Sequence, residues 1–304
     1  MTREAPPLPA AVAAIERRAR RHATACGEGV MAWRVWGDGP PVVLLHGGYG
    51  SWTHWLRNID PLAQRRRVIV PDLPGLGDSA APPPGTTVEE NAAIVTAGLD
   101  TLLRPGERYV LVGFSFGALM TAPIAAAAGA RVELLVLVGS TAWGLSRAPQ
   151  GSGLERMSRR MSADEIAAVQ RTNLGRLMLH DTTKIDDFAV RLQADNVMRA
   201  RFRSIGSTTP DWLVRWLPAI AAPVAAIWGA HDVTSQPVAD RVAVLRRLKP
   251  DVVTEIVPGA GHWVQYEAPD AFNRFLADRI DNGTVPQGAR NGERAPPPGG
   301  HGSA

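Results

Sequence analysis

Cysteine is almost absent: Cys26 stands alone in 304 residues, which excludes an intrachain disulfide and leaves a reactive-thiol role without a supporting pattern. Lysine is nearly as scarce, with only Lys184 and Lys249, so the basic balance rests on arginine. The formal excess is four positive charges. Arg17, Arg18, Arg20 and Arg21 cluster, as do Arg65 to Arg67, but neither group is interleaved with aromatics, and both read as solvated faces rather than nucleic-acid sites. Long apolar runs are missing too. No stretch approaches the roughly 18 consecutive apolar residues of a spanning helix, and "MTREAPPLPAAVAAIERRARRHA" lacks the apolar core of a secretory leader. These absences predict a cytoplasmic protein whose partner is a small-molecule substrate, with no nucleic acid and no membrane; a homodimer is left open.

What is present is 45% hydrophobic residues, arranged in short apolar runs bounded by turn residues. "VVLLHG" (42–47), "RVIVPD" (67–72), "YVLVGF" (109–114), "LLVLVG" (134–139), "VAAIWG" (224–229) and "VVTEIV" (252–257) suit strands buried on both faces. "WLRNIDPLAQ", "TVEENAAIVTAGLDTLL", the segment after Ser115 and "PVADRVAVLRRL" carry helical spacing and supply the crossovers that parallel strands require. Ahead of them, "HATACGEG" and "VMAWRVWG" read as a strand pair joined at a glycine turn. The class is α/β with a mostly parallel central sheet and flanking helices. About eighty residues, Trp143 to Ala222, interrupt the alternation with helical patterns and no clear strand, which predicts an inserted helical cap. The expected organisation is an N-terminal helix or arm over 1–22, a core over 23–142 and 223–281, the cap over 143–222 and a disordered Gly/Pro-rich tail over 282–304.

The chemistry starts at Gly113-Phe114-Ser115-Phe116-Gly117, where a strand-like run meets a small-residue helical pattern. In this setting G-x-S-x-G is a nucleophile elbow, a turn so tight that the flanking positions must lack side chains and the serine hydroxyl is left exposed. A hydroxyl needs a general base. His262, in "VPGAGHWVQYE" after the last strand, is delivered to the C-terminal edge of the sheet where Ser115 also emerges. The carboxylate that orients it is expected at Asp232 in "IWGAHDVT", because the loop after the preceding strand, Gly139-Ser140-Thr141, offers no acid. A tetrahedral intermediate needs two oxyanion donors: the N–H of Phe116 is one, and the N–H of Gly48 is favoured for the other, with Gly47 and Tyr49 open. His46 is expected to brace this glycine loop, and His231 to point away from the site. No metal or organic cofactor is implied.

Together "LLHGGYGSW", "PDLPGLGDS", "VGFSFGA", "WGAHD" and "GAGHWVQYEAPDAFN" resemble the α/β-hydrolase fold family over roughly residues 28 to 280. Within it, "GHWVQYE", with Trp263 after the base, is similar to the meta-cleavage-product hydrolases, which break a carbon–carbon bond in ring-fission products of aromatic catabolism. That resemblance implies 2-hydroxy-6-oxo-dienoate substrates and a cap arginine on their carboxylate, for which Arg191, Arg199 and Arg201 are the candidates, with Arg203 beside them. It implies Gly47, Tyr49, Phe114 and Trp263 as further pocket residues. Phe114 departs from the pattern, since the subfamily commonly has Asn before the nucleophile. The alternatives are a carboxylesterase or lactonase on the same triad and, in another class, a non-catalytic ligand-binding member of the fold.

Overall fold

The computed structural model describes residues 9–145, 153–158, 160–203, 206 and 208–282. The expected tail beyond Asn282 therefore lies outside the described residues, as do the first eight residues of the arm and parts of the segment 143–222, while Asn282 itself belongs to the last helix.

Eight strands form one sheet in the order β1-β2-β4-β3-β5-β6-β7-β8: β1 (Arg20–Cys26), β2 (Gly29–Trp36), β3 (Pro41–Leu45), β4 (Arg67–Pro71), β5 (Tyr109–Phe114), β6 (Val132–Val138), β7 (Val224–Gly229) and β8 (Val253–Val257). β1 pairs antiparallel with β2, and β2 antiparallel with β4; from β4 to β8 every pairing is parallel. The continuous apolar runs are explained by the two-residue period of a strand, which sends successive side chains to opposite faces. Val43, Leu45, Ile69, Leu111, Leu135, Leu137 and Ala226 enter one core, while Val42, Leu44, Val68, Val110, Val112, Val136 and Ile227 enter the other. A strand covered on both faces has no position for a polar side chain, so alternation is lost from the sequence.

The helices are α1 (Ala10–Glu16), α2 (Ile59–Ala63), α3 (Val88–Leu102), α4 (Phe116–Ala128), α5 (Ala163–Asn173), α6 (Asp187–Arg199), α7 (Trp212–Trp216), α8 (Val238–Leu248), α9 (Val264–Glu267) and α10 (Pro269–Asn282). α3 starts at a capping box in which Thr87 and Glu90 bond each other's backbone N–H. α4 is buried from Phe116 to Ala125, and its small residues let it lie close on β5. Two expected boundaries differ. β1 begins at Arg20 and pairs Arg20 with Val35, so the boundary after residue 22 falls inside a strand whose exposed polar residues hide it from hydropathy. "WLRNIDPLAQ" is not one helix: a 3₁₀ turn, Trp52–Trp55, precedes α2, because the Ser51 hydroxyl accepts from Thr53 N–H and the Asp72 carboxylate holds Trp52 N–H at 2.8 Å.

Among the described residues of 143–222 there are helices and turns but no strand, and no helix among the described residues is long and apolar enough to cross a membrane. α6 lies on the start of the 3₁₀ turn: Asn196 Oδ1 accepts from the Ser51 hydroxyl at 2.7 Å, and Asn196 Nδ2 donates to Thr53 Oγ1 at 3.1 Å.

Candidate active site

Ser115 caps the turn between β5 and α4 with φ 51° and ψ −113°, a left-handed conformation that a non-glycine residue rarely adopts. Its N–H is held by the Val138 carbonyl of β6 at 2.9 Å. The glycines on either side are required by close approach: a Cβ on Gly113 would lie 2.5 Å from the Gly117 carbonyl oxygen, and one on Gly117 would lie 2.3 Å from the Leu45 carbonyl oxygen. The outcome is a serine that is partly exposed while its neighbours Phe114 and Phe116 are buried.

The structure brings Ser115, His262 and Asp232 into one chain of hydrogen bonds. His262 Nε2 is 2.9 Å from Ser115 Oγ, and His262 Nδ1 is 2.9 Å from Asp232 Oδ2. Asp232 is fully buried and His262 is 3% exposed, so the pair sits where charges interact strongly. The other carboxylate oxygen, Oδ1, accepts from the Thr234 N–H at 2.9 Å and the Thr234 hydroxyl at 2.7 Å. With both Thr234 protons committed to Asp232, the Oγ1 lone pair faces His262 Nδ1 at 3.1 Å and favours the tautomer with its proton on Nδ1. Nε2 is then an acceptor for the serine hydroxyl.

The glycine loop after β3 closes over the serine: a Cβ on Gly47 would lie 3.0 Å from the Phe114 ring and 3.3 Å from Ser115 Cβ. The Gly47 N–H is already engaged by His54 Nδ1 at 3.3 Å, which leaves Gly48 and Tyr49 as the loop's candidate donors; Tyr49 has φ 51°. Phe116 opens α4, so its N–H is one of the first-turn donors without a helical partner. His46 does brace the loop: its Nδ1 lies 2.8 Å from the Gly47 carbonyl oxygen, and its Nε2 accepts the Leu73 N–H at 2.9 Å. His231 stacks on His180 at 3.6 Å, on the exposed side of the acid loop.

Trp263 is fully buried, donating from Nε1 to the His54 carbonyl at 3.0 Å and stacking on Tyr266 at 4.1 Å. Its ring also lies against that of His54, with centroids 4.9 Å apart. The three arginines are engaged elsewhere. Arg191 faces Asp195 one turn along α6 at 3.2 Å, Arg199 pairs with Asp78, and the Arg201 guanidinium bonds the carbonyls of Arg199, Gly77 and Ser79. None of these contacts involves Ser115, His262 or the glycine loop. A cavity of about 620 Å³ lies between α1, β2, the 3₁₀ turn and α6, lined by Glu16, Arg34, Trp52, Asp78, Asn196 and Arg199 among others, and Ser115, Asp232 and His262 are not in its lining. Its charges are paired: Arg34, 2% exposed, binds Glu16, Asp72 and Asp78.

Sequence reasoning missed His54, Gln193 and Glu267. Glu267 is 2% exposed and accepts the Asp181 N–H on one oxygen and the Gly261 N–H on the other, each at 2.6 Å, joining the loop before α6 to the loop that carries His262. No local pattern marks it. Burial drives the His54 pKa down to about 3 and lowers that of His46, so both are neutral in the fold. A histidine whose folded pKa lies below its unfolded value near 6.5 contributes its full stability above that value and loses it as pH falls toward the folded pKa. Urea midpoints should therefore fall steadily from pH 6.5 toward pH 4, with His54 alone adding up to about 1.4 kcal/mol per pH unit. His54→Leu should flatten that slope by about one proton; an unchanged slope would show that His54 is charged in the native state.

Comparison with known proteins agrees with this architecture. The profile of the alpha/beta hydrolase family matches residues 42–275. The 2-hydroxy-6-oxononadienedioate/2-hydroxy-6-oxononatrienedioate hydrolase of Cupriavidus pinatubonensis is 29% identical over 256 residues, 79% of this chain and 86% of its own. The meta-cleavage product hydrolase CumD of Pseudomonas fluorescens superposes with a TM-score of 0.69 at 22% identity, covering 86% of this chain and 97% of its own. The carboxylesterase CesB of Bacillus subtilis superposes with a TM-score of 0.72 at 21% identity, covering 86% and 91%. The matched span runs from β3 to α10 and holds the serine turn, the acid loop and the histidine loop, so the chain belongs to the alpha/beta hydrolase family, a family of hydrolases.

Proposed function

We propose that the protein is a serine-dependent hydrolase of small organic substrates, with Ser115 as nucleophile, His262 as general base and acid, and Asp232 orienting His262. The observation that carries this reading is the unbroken Ser115–His262–Asp232 hydrogen-bond chain at 2.9 and 2.9 Å. Ser115 Oγ attacks the acyl carbon as His262 Nε2 takes its proton, and the carbonyl π bond opens onto the oxygen. The N–H groups of Gly48 and Phe116 hold that oxyanion. Collapse expels the leaving group, which takes the proton from His262. Water, deprotonated in turn by His262, attacks the acyl-enzyme, releases the acid and returns the proton to Ser115. The described helices between residues 143 and 222 serve as the cap, with α6 docked over the glycine loop.

Esters are the substrate class the geometry favours. A dienoate brings a carboxylate that needs a guanidinium, yet Arg199 already pairs with Asp78, Arg191 with Asp195, and Arg201 with backbone carbonyls. Drawing Arg191 or Arg199 into the site would break its contact with Asp195 or Asp78, and drawing Arg201 would break its bonds to the Gly77 and Ser79 carbonyls. Phe114 supplies an apolar ring, 1% exposed, where a polar positioning group is absent. The second reading, carbon–carbon hydrolysis of 2-hydroxy-6-oxo-dienoates, is favoured by the activity for which relatives such as the Cupriavidus enzyme are named.

The two separate by measurement. Short p-nitrophenyl esters should be turned over with kcat/KM at least tenfold above that for 2-hydroxy-6-oxo-hexa-2,4-dienoate, and Arg191→Ala should leave the ester value within about twofold. A dienoate preference that Arg191→Ala, Arg199→Ala or Arg201→Ala lowers by roughly thirtyfold, the equivalent of a lost buried charge-assisted contact of about 2 kcal/mol, would establish carbon–carbon hydrolysis instead.

A further inference from the structure

His54 and Gln193 lie 139 positions apart and meet beneath the glycine loop, each within a tenth of complete burial. The bonds around them have only one consistent polarity. The Gly47 N–H can only donate, so His54 Nδ1 accepts it at 3.3 Å. The neutral ring then carries its proton on Nε2, which donates to Gln193 Oε1 at 3.2 Å. That fixes the Gln193 amide, whose Nε2 donates to the Tyr49 carbonyl at 3.3 Å. The chain of bonds leaves the loop at Gly47, passes through the side chains of His54 and Gln193, and returns to the loop at Tyr49. Gly48, the residue assigned as oxyanion donor, is the one enclosed between the two ends.

Other contacts fit the ring to this place. A Cβ on Gly50 would lie 2.2 Å from the His54 ring, so glycine is required there for the ring to sit against the loop backbone. The His54 ring packs edge-on to Phe114 at 5.5 Å, and the His54 carbonyl accepts from Trp263, the residue after His262. Gln193 belongs to α6, beside the Asn196 that bonds Ser51 and Thr53.

We infer that His54 and Gln193 are positioning residues which set the Gly47–Tyr49 backbone for oxyanion binding, and that docking of α6 completes this arrangement. The inference rests on the reading of Ser115 as nucleophile. With α6 lifted, His54 Nε2 and the Tyr49 carbonyl lose their partners, and the loop keeps its His46 and His54 contacts at Gly47 but loses its anchor at Tyr49. With α6 down, the 46–47 peptide is tied through the Gly47 N–H and the 49–50 peptide through the Tyr49 carbonyl, so the stretch that carries the Gly48 N–H is held at both ends before substrate arrives. A preorganised donor of this kind acts on the transition state rather than on substrate affinity.

The test uses the full-length protein, p-nitrophenyl butyrate and an alkyl trifluoromethyl ketone, which adds to the serine oxygen and places an alkoxide in the oxyanion site. His54→Leu and Gln193→Met remove the polar relay at either end with little change of volume. Each is expected to lower kcat by ten- to hundredfold with KM within about threefold, on the scale of a misplaced oxyanion donor. Ketone affinity should fall by the same factor, and the double variant should be no worse than the weaker single variant within threefold. If His54→Leu does not fold, Gln193→Met, on the α6 side, still decides the matter. Variants that keep kcat and ketone affinity within twofold, or losses that multiply in the double variant, overturn the relay. A wild-type protein that the ketone does not inhibit and a fluorophosphonate does not label at Ser115 overturns the nucleophile instead, so the two failures are separable.

Discussion

Ser115→Ala should lower kcat on a responsive ester by about 10⁵- to 10⁶-fold while shifting the melting temperature by no more than a few degrees, because triad members act as a unit and loss of the nucleophile removes the whole covalent route. The fold has little reason to notice. The Ser115 side chain makes no cap bond to α4, its hydroxyl faces His262 Nε2, and the turn is fixed instead by the Ser115 N–H on Val138 and by the glycines at 113 and 117. Alanine meets the same φ of 51° with the same Cβ, so backbone strain is unchanged. The measurement is single-turnover and steady-state hydrolysis with thermal denaturation in parallel. A variant with kcat within tenfold of wild type would refute Ser115 as nucleophile; a variant that loses activity only because it melts at the assay temperature would leave the hydroxyl's role to be read from fluorophosphonate labelling of the wild type, where an unmodified Ser115 refutes it as well.

The parts of this architecture that are legible in the sequence are those set by local pattern. β3, β5, β6 and β7 appear as uninterrupted apolar runs because both faces are covered, and the glycines at 113 and 117 mark a turn in which no Cβ fits. That Ser115, Asp232 and His262 meet is legible because each follows a strand end, and parallel strands deliver their C-terminal ends to one edge. What escapes is set by contacts across long separations. Arg199 and Arg201 look available for a ligand as members of an arginine-rich stretch, but their partners, Asp78 and the carbonyls of Gly77 and Ser79, belong to a loop more than a hundred residues earlier. His54 sits inside "WTHW", just ahead of the helical pattern "WLRNIDPLAQ" and in no motif of its own. Its role follows only from the approach of Gln193 and from the space left by Gly50. Thr234 escapes for a different reason: it lies two residues beyond Asp232, and a threonine there is equally suited to a turn without any bearing on a histidine.

Thr234 nonetheless decides what Asp232→Asn should do. In the native site Asp232 Oδ1 accepts from the Thr234 N–H and hydroxyl, and Oδ2 faces His262 Nδ1. An asparagine has one oxygen and one NH₂ to place in the same positions. The Thr234 N–H is a fixed donor, so the amide oxygen must stay opposite it, and the NH₂ is left to face His262. Two donors cannot share that contact, so the imidazole gives up its Nδ1 proton and carries it on Nε2 instead. Nε2–H then points at Ser115 Oγ and cannot accept the serine proton. The fold should survive, since shape and volume are conserved, but kcat at neutral pH should drop by about 10⁴-fold, the scale of a base held in the wrong tautomer. Asp72→Asn is the control. Asp72 is equally buried, but it holds Arg34 and the N–H groups of Trp52 and Asp78, so its loss should lower the melting temperature more than Asp232→Asn does and kcat of the folded fraction far less. Steady-state rates and melting curves on both variants check the assignment. An active Asp232→Asn beside an inactive but well-folded Asp72→Asn would move the orienting carboxylate from the loop after β7 to the loop after β4.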